Sequence, residues 1–327
     1  MIMKVMEYLQ YPFVQHAVIV SILIALCASL LGVILVLKRL SFIGDGLSHV
    51  AFGTMAVSMV LGFTNEMIIV LPGTMLVAIL LLCSGKKAKI KGDAAIAMLS
   101  VGALAVGYLI MNLFPTSASG GNIAGDVCST LFGSTSLLSI SGSDVWICIA
   151  LSVLVILLYV FFYHRIFANT FDENFAKATG TKTSLYNMLI AGLTAVTIVI
   201  GMRMMGALLI SSLIIFPTVT SMRLCKSFKR VVIVSSAVSV FCFISGLIIS
   251  IIFEIPTGAS VVCFNIFVLL VFSVFKYILE KDFKGKKGVR NILLAVSAVL
   301  FYSLYLVLLN SGSVNAFRKD KKTLVKY

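Results

Sequence analysis

Charge is scarce in this sequence. Asp, Glu, Lys and Arg make up 12% of its 327 residues, about half the share in a soluble domain. With 60% hydrophobic residues and a mean hydropathy of +1.12, a soluble core is excluded as the place where they are all buried. The 7 cysteines form no CxxC pair, which argues against a disulfide framework. They read as small apolar packing residues, with Cys128 and Cys148 the one pair that falls on a common outer side. No GxxxxGK[ST] phosphate loop occurs, so the chain is not expected to hydrolyse ATP itself. There is no HExxH and no Ser–His–Asp pattern, and an intramembrane enzyme is left without a nucleophile motif.

What is present comes in blocks. Ten apolar segments run over 14–37, 42–62, 67–83, 94–114, 145–163, 184–201, 204–222, 231–252, 258–275 and 291–310. Each approaches the ~20 residues that cross a bilayer as a helix. Only helices or closed barrels satisfy their backbone in lipid, and these runs lack the alternation of barrel strands. The fold class is therefore all-α, a polytopic bundle of about eight to ten transmembrane helices. The first segment is longer than a signal-peptide core and is read as a retained span.

The net charge of +14 is explained by position rather than by a nucleic-acid partner. Lys38 and Arg39 follow the first segment, Lys86 to Lys91 the third, and Arg165, Lys177 and Lys182 the fifth. Arg223 to Arg230 follow the seventh, and Lys276 to Arg290 the ninth. Loops after even-numbered segments are nearly free of basic residues. The positive-inside rule then puts the N-terminus outside and each odd-to-even loop in the cytoplasm. Segment 291–310 and the basic tail (Arg318 to Lys326) break the pattern. The first 275 residues are read as the core, and 276–327 as a basic loop, an extra hydrophobic segment and a tail.

Two stretches carry chemistry. In KRLSFIGDGLSHVAFG (38–53), Asp45 and His49 stand four apart and share a helix face. Counted from Arg39 at 1.5 Å per residue, His49 lies ~15 Å into the membrane, about mid-depth. Ionisable groups there mark an ion or substrate path, and a carboxylate with an imidazole suits zinc or manganese. The competing reading is that the two simply pair with each other or with another helix. Small neighbours (Ser41, Gly44, Gly46, Ser48, Ala51, Gly53) let another helix approach closely.

The second stretch is FDENFAKATGT (171–181), in a cytoplasmic loop. Asp172, Glu173 and Asn174 open a short helix, Phe175, Ala176 and Ala178 give it an apolar side, and Gly180 ends it. Such a helix is a docking surface for a soluble partner or a solvated loop helix with none. Pro217, inside the seventh segment, predicts a kink. Gly206 follows a tight turn near Arg203, and Glu254 to Gly258 form an outer turn.

Taken in order, LLGVILVLKRLSFIGDGLSHVAFG, LFGS (131–134), FDENFAKATG, RMMGALLISSLIIFPTVTS and IPTGASVV resemble the permeases of ABC importers for zinc, manganese and iron. The resemblance covers roughly residues 14 to 275; the segment 291–310 has no counterpart in it. It implies that Asp45 and His49 line the metal path or gate. It implies that Phe171, Asp172, Glu173, Phe175, Ala176 and Gly180 dock a separate ATP-binding cassette subunit, and that Gly206 and Pro217 act as hinges. It also implies a second copy of the chain, an extracytoplasmic metal-binding protein and a place in the bacterial plasma membrane. The metal is transported, not a permanent cofactor, with zinc ahead of manganese and iron(II) also open. A permease for a metal chelate and a proton-coupled carrier are the alternatives.

Overall fold

The computed structural model describes residues 11–63, 66–84, 93–114, 142–253 and 255–282. Among them are eleven helices and no strand: α1 Pro12–Leu37, α2 Ile43–Val60, α3 Met67–Ser84, α4 Asp93–Leu113, α5 Gly142–Phe161, α6 Tyr163–Phe171, α7 Glu173–Ala178, α8 Thr183–Met205, α9 Ala207–Leu224, α10 Phe228–Phe253 and α11 Thr257–Asp282. Each of the nine apolar segments between 14 and 275 falls on a helix. Segment 291–310, LFGS, Cys128, Glu254 and the tail lie outside the described residues.

Among the described residues six helices are long and apolar enough to cross a membrane, or seven if the bent pair α5–α6 is one span. That is fewer than the nine apolar segments that fall on described residues. α3 has a shorter apolar stretch, Met67–Leu82. α2 is not among the six because Asp45, His49 and three glycines lower its hydropathy, as expected of a helix that carries polar function through lipid. The chain is a multi-pass membrane protein.

The bundle is built around α1 and α8. Their span windows are 67% and 78% buried, against 22% for α4, so α1 and α8 face protein and α4 faces outward. α1 packs on α8, α9, α10 and α5, while α4 packs chiefly on α2. The main core includes Ile24, Ala28 and Leu35 of α1, Leu47 of α2, Ile198 of α8 and Leu213 of α9. In lipid the hydrophobic effect does not drive helices together, so close packing must. Small residues provide it. A Cβ on Gly53 would lie 2.9 Å from the Ala103 carbonyl oxygen, and one on Gly107 would lie 2.9 Å from the Gly53 Cα. The expected close approach at this small-residue stripe is thus an α2–α4 crossing.

The cytoplasmic loops of the positive-inside reading meet at one end of the bundle. Lys38 Nζ, at the C-cap of α1, donates to Asn187 Oδ1 on α8 at 2.6 Å, and Asn169 Nδ2 on α6 donates to the same oxygen at 2.8 Å. Phe228 of α10 packs on Tyr163, Phe167 and Phe171 of α6, with ring centroids 5.1–5.8 Å apart.

One detail differs from the sequence expectation. The fifth span ends at Phe161 and the chain turns by 70° into α6, a helix where the sequence suggests a loop. Pro217 is buried inside α9.

Candidate functional site

Asp45 and His49 lie one turn apart on α2. His49 Nε2 is 3.5 Å from Asp45 Oδ1, and the side chains are 16% and 49% exposed, respectively. The imidazole is mostly enclosed while half of the carboxylate remains open to an incoming ion or a neighbouring chain. Asp45 occupies the first turn of α2, where its negative charge is favoured by the helix dipole. Ser48 Oγ donates to the Asp45 carbonyl at 2.7 Å and leaves the carboxylate alone.

Leu40 to Phe42 form a turn, and Phe42 is the N-cap of α2, so helical rise begins there and not at Arg39. His49 lies ~10 Å along the helix from that cap.

Around the pair, α2 is hemmed in by α4, α9, α3 and α8. A Cβ on Gly44 would meet the Ile214 Cδ1 at 3.0 Å, and one on Gly46 would meet the Ile96 Cγ2 at 2.5 Å. These contacts flank Asp45 on both sides and fix the turn that presents it. Among the described residues no third His, Cys, Asp or Glu joins the two into a metal-holding group. A pair offers two donor atoms, enough to receive an ion in passing but short of the four that hold zinc structurally.

The cytoplasmic segment forms as its sequence suggests. Asp172 caps α7, its Oδ1 accepting from the N–H groups of Asn174 and Phe175 at 3.0 and 2.9 Å. Gly180, with φ +82°, ends the turn. Phe171 and Phe175 are 59% and 65% exposed, two large apolar side chains presented outward beside Asp172. Ala176 is 1% exposed, so it seats α7 on the body rather than facing out. At the other end of α8, Gly206 has φ +92° and ψ +153° and is by itself the link to α9. That backbone conformation is open essentially only to glycine.

A match to the ABC 3 transport family spans residues 10–276. The chain belongs to that family. Among relatives, the manganese import system permease protein ScaB of Streptococcus gordonii is 29% identical over 82% of this chain and 94% of its own length. The manganese transport system membrane protein MntC of Halalkalibacterium halodurans is 25% identical over 86% and 94%. Among solved structures, PsaBC from Streptococcus pneumoniae, in complex with Fab, superposes with a TM-score of 0.71 at 26% identity, covering 83% of this chain and 95% of that one. As an ABC 3 transport family member, the chain is a permease subunit of the metal ABC importer type, in the bacterial cell membrane.

Sequence reasoning did not single out Asn169, Asn187 or Phe228. Asn169 and Asn187 are 1% and 7% exposed, and two asparagines in otherwise apolar surroundings were the available signal. Nothing in the sequence indicated that they meet Lys38.

Proposed function

We propose that this chain forms the membrane path of an ATP-driven importer for a divalent first-row metal ion, manganese ahead of zinc. The observation that carries the proposal is the carboxylate–imidazole pair, Asp45 and His49, on a helix with no other ionisable residue. The names of the relatives support manganese and reverse the order expected from the signature stretch. A carboxylate beside an imidazole suits manganese and zinc alike, so the pair leaves the choice to the rest of the system.

In this reading two copies of the chain assemble, and each half-exposed Asp45 turns toward the shared path. Two pairs bring four donors to one ion, and water completes the shell. The ion is the cargo. A separate ATPase subunit docks on Asp172, Glu173 and the outward Phe171 and Phe175, with Gly180 closing the segment. Gly206 and Pro217 are the hinge positions of α8 and α9. An extracytoplasmic binding protein delivers the metal. Membership of an ABC family argues against the proton-driven carrier, and two side chains that would bind the bare ion directly argue against a bulky chelate as cargo.

The test is ATP-dependent uptake of radiolabelled manganese and zinc by the reconstituted importer. With His49→Gln or Asp45→Asn, uptake falls by about a hundredfold or more, at least the loss that follows when a group supporting a metal ligand is removed, while melting temperature is kept. Uptake unchanged in both would reduce the pair to helix packing.

A further inference from the structure

On the flank of the bundle, α8 borders a groove of about 660 Å³ that is also lined by residues of α3, α5 and α6. Its lining divides by chemistry along its length. At the cytoplasmic end stand Arg165, Lys182 and Tyr186; further in, the walls are Leu158, Leu189, Leu193 and Val196. Arg165 and Lys182 are exposed, and among the described residues neither has an acidic or hydrogen-bonding partner. Two unneutralised cations at the head of an apolar channel define a ligand with an anionic end and a hydrocarbon body.

The length of the groove narrows the class. Val196 lies 14 positions beyond Lys182, ~21 Å along a helix. One leaflet, headgroup included, is ~20 Å thick. The groove therefore reaches from the charged surface to about the middle of the bilayer, the span of one phospholipid. Gly192 lies in its inner part, where an added Cβ would come 3.0 Å from the Met75 methyl. The absent side chain lets the Met75 methyl seat against α8, which keeps this part of the wall apolar and low. The cytoplasmic leaflet is anionic, and basic pockets between helices on that side receive acidic headgroups. Guanidinium and ammonium groups suit a phosphate diester.

We propose that this groove is a binding site for one anionic phospholipid of the cytoplasmic leaflet. Its phosphate lies between Arg165 and Lys182, and an acyl chain runs along α8 past Gly192. The site is separate from Asp45 and His49, and the proposal does not depend on the ion transported. It abuts Gly180 and Thr181, at the exit from α7, so lipid occupancy buttresses the segment that faces the cytoplasm.

The experiment is native mass spectrometry of the full-length protein titrated with phosphatidylglycerol or phosphatidylcholine, alongside its melting temperature. The wild type retains phosphatidylglycerol about thirtyfold more tightly, the gain from two surface cations. Arg165→Gln with Lys182→Gln abolishes that preference, and the charge-keeping exchange of Arg165→Lys with Lys182→Arg restores it. Gly192→Leu weakens both lipids and leaves the preference intact. Equal retention of the two lipids, or a preference surviving loss of both cations, overturns the proposal. Full competition by glycerol 3-phosphate would make it a site for a soluble anion, and self-crosslinking through Leu185→Cys would show a second copy covering the groove. Either result also overturns the lipid.

Discussion

Lys38 and Asn187 are 149 positions apart in sequence and 2.6 Å apart in space. The ammonium that ends α1 is held by an amide oxygen in the first turns of α8, and Asn169 brings α6 to the same atom. Removing the shared acceptor takes this bond from both the ammonium and a buried amide. Asn187→Leu is predicted to cost about 1–3 kcal/mol, read as a lower denaturation midpoint in detergent. An unchanged midpoint would mean that water replaces the oxygen.

The α2–α4 crossing makes a second prediction, as a contrast within one helix pair. A methyl on Gly53 meets a backbone carbonyl, whereas one on Gly102 meets nothing within 4 Å. Gly53→Ala should destabilise by about 1–3 kcal/mol as overpacking forces the helices apart. Gly102→Ala should be neutral or stabilising by up to about 1 kcal/mol, since alanine is the better helix former. Melting temperatures of the two variants decide it, and the opposite order would refute the packing.

Gly206 is predicted to tolerate no side chain. At φ +92° and ψ +153°, an alanine costs about 1–3 kcal/mol of backbone strain. Uptake should fall further than stability does if the α8–α9 link moves during transport. A variant with wild-type stability and uptake would remove Gly206 from both roles.

Asp172→Ala removes a cap that satisfies two N–H groups of α7, worth about 1 kcal/mol locally. The melting temperature should hardly move, because α7 is short and exposed. Stimulation of the partner ATPase by transport should fall, and Asp172→Ser should recover part of it. A normal response in the alanine variant would separate the cap from docking.

Much of this was legible in the sequence. The apolar blocks placed nine helices because hydrophobicity over a membrane-spanning length leaves few other structures. Loop charges sorted the ends, and the structure brings the Lys38, Arg165 and Phe228 regions to one end. The Asp172 cap and the Gly180 stop were readable because capping is local. α6 was missed because nine mixed residues beside a span look like loop until Ile166 and Asn169 find something to bury against. The break between Arg39 and α2 left no mark in a count of helical rise, because Leu40 to Phe42 turn instead of continuing a helix. Contacts between distant spans, Lys38 with Asn187 above all, leave no periodic trace in a single chain.

The 70° turn at Phe162 has a mechanical consequence. It swings the nine residues of α6 away from the line of α5, as a beam ~13 Å long. Asn169, near the α7 end of that beam, is its fulcrum, and Phe228 clamps its aromatic face. Force applied at α7 is therefore not returned up α5. It is loaded at the fulcrum onto α8 and the end of α1, and both lead to the helix bearing Asp45, α8 by direct packing and α1 through the five residues 38–42.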